Sequence, residues 1–198
     1  MLALLAVLAA PPVHATPPPR PPLDDPRHAF NRRRITIHTA GMATLTGWSV
    51  INLGAGFGLG FTTAGPERHF HQMNAYWNTV NLALGIAGLI GARREDRRLL
   101  APAAAARARA HQSVFTWNAG LDVLYMATGA LLFNLGQDRD SERLLGYGAS
   151  ILLQGGVLFV FDLAMATAHA RNLRRLQRVG PAAAPLPGGA SFGLRGAF

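Results

Sequence analysis

A chain of 198 residues, 49% hydrophobic and only 15% charged, is long enough for one domain and too apolar to be intrinsically disordered. Nineteen basic residues against ten acidic ones give a net charge of +9, and every basic residue is arginine. The arginines flank apolar blocks and do not interleave with aromatic residues, which argues against a nucleic-acid partner and for membrane topology. Without cysteine there are no disulfides, thiolate metal sites or cysteine nucleophiles.

Met1 to Ala10 form a short apolar run, followed by PPVHATPPP. Ten residues at about 1.5 Å each cannot cross roughly 30 Å of hydrocarbon. Residues 1–15 therefore read as a signal peptide ending near Ala15, and residues 16–30 as a Pro-rich extended linker. Four apolar blocks follow, at 35–61, 76–92, 113–136 and 145–168, each close to the ~20 residues of a spanning helix. Their outer faces are Leu, Ala, Val, Ile and Phe, without the polar stripe of a soluble helix. The expected fold is all-α: a four-helix transmembrane bundle over residues 31–176, with the lipid bilayer around it and a disordered, low-complexity C-terminal tail at 177–198.

Sixteen arginines fall on one side of these spans, against Arg68, Arg139 and Arg143 on the other. The positive-inside rule places the Arg-rich side and both termini in the cytoplasm, with a bacterial inner membrane as the expected location. A cleaved signal peptide would put the mature N-terminus outside, and the sequence leaves these two readings in conflict.

Polar residues within apolar spans carry the most information, because an unpaired polar group in hydrocarbon costs several kcal/mol. On the third span Asn118, Asp122, Tyr125 and Gly129 share a helical face, as do Ser150, Gln154, Asp162 and His169 on the fourth. The second carries Asn74, Asn78, Asn81, Gly85 and Gly88, and the first His38, Ser49, Asn52 and Gly56. Four such stripes face one another only in a bundle interior. Counting residues from the span ends puts His38, Asn118, Asp122 and Asp162 in a layer toward the Arg-rich side. Asn52, Asn78, Asn81 and Asn134 fall toward the other face, with Gln154 between the two layers. For Asp122 and Asp162 a structural hydrogen-bonded pair competes with a proton- or cation-handling site. The amides read as structural.

Gly54 with Gly58 and Gly56 with Gly60 form two overlapping small-xxx-small pairs suited to close helix approach, within the chain or between copies of it. Glu67, His69 and His71 read as an interfacial loop between the first two spans. His38, His111 and His169 lie near the Arg-rich boundary, and without a second deep histidine they predict no haem or other cofactor and leave any metal undetermined. The Trp77-Asn78 and Trp117-Asn118 pairs are a weak sign of internal duplication.

The stretches FNRRRI (30–35), GMATLTGWSVINLG (41–54), RHFHQMNAYWNTVNLALG (68–85), WNAGLDVLYMATG (117–129) and RLLGYGASILLQGGVLFVFDL (143–163) resemble a family of bacterial membrane proteins known only as a domain of unknown function. The resemblance implies an integral four-helix protein with a signal-like start and no assigned activity. It points to Asn52, Asn74, Asn78, Asn81, Asn118, Asp122, Gln154 and Asp162 as the family-like polar positions. The Arg- and Ala-rich segment 93–110 matches nothing in that pattern. No Ser-His-Asp order, HExxH or glycosidase-like carboxylate pair stands out. The expectation is a non-enzymatic membrane scaffold or partner-binding protein, with itself or another membrane protein as partner. The alternative is a small proton- or cation-linked transporter using Asp122 and Asp162, and a haem-type membrane enzyme comes third.

Overall fold

A computed structural model describes residues 28–178; the expected signal peptide, most of the proline linker and the tail beyond Arg178 lie outside the described residues. Four antiparallel helices follow one another, α1 (Ala29–Thr62), α2 (Gly65–Arg93), α3 (Ala101–Asp138) and α4 (Glu142–Arg178), and no strand occurs among the described residues. Proline in the first turn opens α2 and α3, where its missing N–H has no intrahelical partner to lose. The α1–α2 link is only Thr63 and Ala64, both extended, and Gly65 then takes φ +60°, a conformation that glycine adopts without a Cβ clash.

The helices outrun the apolar blocks that announced them. α2 begins eleven residues before Tyr76, so Glu67, His69 and His71 are helical and not an interfacial loop. α3 takes in the second half of the Arg-rich segment, and its 38 residues extend about 57 Å, well beyond a bilayer's hydrocarbon. Apolar content marks where a helix can meet lipid, and it does not mark where the backbone hydrogen bonds stop.

Packing explains the shape of the interior. α1 pairs with α2 and α3 with α4; α4 also packs along α2 and touches α1, whereas α2 and α3 barely meet. Glycine sets the closest approaches. A Cβ at Gly129 would stand 2.6 Å from the Leu152 nitrogen and 2.9 Å from the Gly148 oxygen, so α3 and α4 touch backbone to backbone. Gly56 lies as tightly on α2, where its Cβ would meet the His71 oxygen and Ala75 at 2.8 Å. Of the two glycine pairs in α1, only Gly56 and Gly60 face α2, while Gly54 and Gly58 face open space.

The polarity is inverted relative to a water-soluble bundle. The largest fully buried side chains are Arg34, His28, His169, Gln154, Asn31 and Asn78. Ile51, Phe57, Val80, Leu84, Leu124, Leu131, Val160 and Leu163 instead lie on the outside. A small apolar cluster of Met42, Phe115, Met165 and Ala166, edged by Ile37, Leu89 and Phe161, interrupts the polar interior. Among the described residues only α3 and α4 are long and apolar enough to cross a membrane by length and composition. α1 and α2 fall short of the four equal spans expected, because Gly, Thr and Asn dilute their hydropathy.

Candidate functional site

The polar stripes meet on the bundle axis and sort into three layers. Farthest from the Arg-rich end lies an amide layer. Asn74 Nδ2 donates to Asn52 Oδ1 at 2.8 Å, and Asn52 Nδ2 to the Trp48 carbonyl at 2.8 Å. Asn78 Nδ2 donates to the Asn74 carbonyl at 2.8 Å. Gln154 Nε2 donates to Asn74 Oδ1, while Gln154 Oε1 accepts from Trp48 Nε1 at 3.2 Å. Gln154 thus belongs within this layer and not between two, and it ties α4 to α1 and α2. Trp48 was not singled out by sequence, although it lies one helical turn before Asn52 on the same face. Asn81 stays outside the network with Nδ2 buried and unpartnered, and Asn134 is exposed.

The middle layer is acidic. The antiparallel α3–α4 register sets Asp122 beside Asp162, with Asn118 one helical turn before Asp122 on the same face of α3. Both carboxyls are buried, and Asp122 Oδ2 has no hydrogen-bond partner.

Nearest the Arg-rich end is a layer of imidazoles from three helices. His38 of α1 stacks on His111 of α3 with ring centroids 4.2 Å apart and planes 14° apart. His169 of α4 meets His111 at 5.2 Å and stacks on Phe115 at 6.0 Å. His169 is fully buried, so a deep histidine does exist, with its two companions beside it. Above the imidazoles a clasp closes the bundle. Arg34, fully buried, places NH1 and NH2 each 3.0 Å from Glu95, and Asn31 Nδ2 donates to the Asp96 carbonyl at 2.8 Å. Arg107 reaches the same carboxylate at 2.5 Å. Burial alone would raise the Glu95 pKa, but the hydrogen bonds and charges of Arg34 and Arg107 prevail and hold it below the usual carboxylate range. The sequence treated Arg34 as a topology signal only; its buried pairing was missed because Glu95 and Asp96 sit in an Arg-rich connection.

Because α2 and α3 stand apart, a cleft of about 600 Å³ opens sideways between them. Leu45, Val80, Leu84, Leu121, Leu158 and Phe161 give it an apolar wall, and Asp122, Asp162, Asn118, Asn81 and His38 line it as well. Trp77 and Tyr125 meet edge to face across its mouth at 4.8 Å. Trp117 is 75% exposed while Trp77 is half-buried, so the two Trp-Asn pairs have different surroundings. The acid layer and one histidine are thereby exposed to a space that could hold a small molecule, whereas the amide layer is sealed.

Residues 44–163 match DUF6992, a family of unknown function, and the chain belongs to that family. The matched stretch contains all the amide and carboxyl residues of the lower two layers, while His38 and His169 lie outside it. No curated protein and no solved structure gives a match.

Proposed function

We propose that this member of a family without an assigned activity is a non-enzymatic, multi-pass bacterial inner-membrane protein that binds an amphiphilic, cationic-headed molecule entering sideways from lipid. The apolar body lies along Leu45, Val80, Leu84 and Leu158, and the head meets the Asp122–Asp162 pair. One observation carries the reading: a laterally open, apolar cleft has a buried carboxyl pair in its wall. The bilayer setting is supported by the inverted polarity and by the arginines gathered at one end, which the positive-inside rule makes cytoplasmic. The outward glycines 54 and 58 leave room for a second copy or another membrane helix to pack.

The test uses purified protein in lipid nanodiscs, titrated with a long-chain alkylamine and with an alkyl sulfate of equal chain length, followed by tryptophan fluorescence. The amine is expected to bind saturably and the sulfate far more weakly. Asp122→Asn with Asp162→Asn should weaken amine binding at least about tenfold, a charge-assisted hydrogen bond being worth ~1.5–3 kcal/mol. Equal affinity for the two chains, or an unchanged double variant, refutes the reading.

The second reading, proton- or cation-linked transport, is favoured by two buried carboxyls that face the cleft together. Proteoliposome flux that persists unchanged in Asp122→Asn and Asp162→Asn eliminates it.

A further inference from the structure

We infer that His38, His111 and His169 form a binding site for one late first-row divalent metal ion of the Zn2+ class, held by three imidazole nitrogens. Their ligand atoms all lie within 4.8 Å of one another, although the residues come from three different helices. Three zinc–nitrogen bonds of about 2.0–2.1 Å in tetrahedral array need nitrogens roughly 3.3 Å apart, so binding draws the three rings closer together. The stacked His38 and His111 rings point parallel lone pairs, so one of them turns when the ion binds. Both are only half-buried and have room to do so.

The second observation is independent of that geometry. His169 is 0% exposed and neither of its ring nitrogens has a hydrogen-bond partner, nor has Nδ1 of His38 or of His111. The bundle pairs Asn52, Asn74 and Gln154 with one another but leaves these nitrogens bare, at a cost of about 1–3 kcal/mol per buried group. A metal ion is the partner that three converging lone pairs match.

Donor chemistry narrows the ion. The one carboxylate nearby, Glu95, is engaged by Arg34 and Arg107, so the donor set is nitrogen only. That disfavours Mg2+ and Ca2+, which take oxygen, and favours borderline ions that bind imidazole. Glu95 also neutralises Arg34, whose charge would otherwise oppose a cation next to it. His38 also lines the cleft, so one of the three ligands borders that space. The site stands whether or not the cleft takes an amphiphile.

The full chain, carrying an affinity tag without histidine, is purified in detergent, stripped with a chelator and titrated with Co2+ and then Zn2+. One Co2+ per chain is expected, with visible d–d absorption that Zn2+ abolishes. His38→Ala and His111→Ala, each checked for native helicity and a monodisperse elution, should weaken binding at least about tenfold. His69→Ala with His71→Ala, at the opposite end, should leave it unchanged. A folded wild-type protein that takes up no ion overturns the inference. So does retained affinity in His38→Ala and His111→Ala, or loss in the His69 and His71 variant. His169→Ala adds a third arm if it folds, and the two half-buried positions decide without it.

Discussion

The two ends of the bundle interior are built from similar numbers of polar side chains and treat them in opposite ways. At the amide end Asn52, Asn74, Gln154 and Trp48 exchange hydrogen bonds across three helices. At the histidine end His169 is fully buried with both ring nitrogens unpartnered, and the half-buried His38 and His111 each leave Nδ1 without a partner among the described residues. A satisfied network specifies how helices pack, because each partner is fixed by the others. Buried unsatisfied groups lower stability and point to something outside the chain. The contrast separates polar residues that hold the bundle together from polar residues held ready within it.

The largest effect should come from the clasp above the histidines, where a charge is buried and matched. Glu95→Ala leaves Arg34 uncompensated and should cost about 3–5 kcal/mol in denaturant unfolding of the detergent-solubilised protein. Since the Glu95 pKa is lowered on folding, its contribution is present above the ordinary carboxylate pKa and lost as pH falls through the folded value. The stability gap between wild type and Glu95→Gln should therefore be widest near neutral pH and narrow below about pH 4.3. A gap that stays constant with pH would show that the clasp does not act through its charge.

Next comes the direct test of the contrast. Gln154→Leu strands Trp48 Nε1 and leaves Asn74 Oδ1 only the longer hydrogen bond from Asn78 Nδ2, and should cost about 1–3 kcal/mol. His169→Leu, made in the chelator-stripped protein, removes nitrogens that have no partner and should change stability by less than about 1 kcal/mol, or raise it. Comparable losses at both positions would erase the distinction between the ends. Adding Zn2+ sharpens it: the wild type should gain stability by ligand linkage, and the His169→Leu protein should not. The smallest effect is expected at Ser150, whose buried Oγ is also unpartnered; Ser150→Ala should stay within about 0.5 kcal/mol of wild type.

Much of this interior was legible in the sequence, for a physical reason. Polar residues are expensive inside apolar helices, so Asn52, Asn74, Asn78, Asp122, Gln154 and Asp162 advertised a common axis by their spacing alone. The Asp122–Asp162 pairing followed from an antiparallel hairpin of two long helices. What spacing does not encode is which helices sit side by side. The cleft depends on α4, and not α3, packing along α2, a contact made closely at Gly146, where a Cβ would meet the Pro66 oxygen and the Phe70 nitrogen, and small residues of that kind also occur in helices packed otherwise. Counting along the spans put His38, His111 and His169 at one boundary, but not their convergence, since they sit on three helices whose neighbours spacing does not encode. Arg34 and Glu95 were hidden by company: in a run of arginines near a span end, a buried ion pair looks like one more topogenic charge.

The central position of α4 has a consequence for biogenesis. It is the last of the four described helices to leave the ribosome, yet it is the neighbour of each of the other three. Until it arrives, Asn74 waits for Gln154, Asp122 for Asp162, and α3 has almost nothing to lean against. The α1–α2 pair can close beforehand through Gly56 and the Asn52–Asn74 hydrogen bond, whereas the seating of α3 and the completion of the polar layers wait for α4.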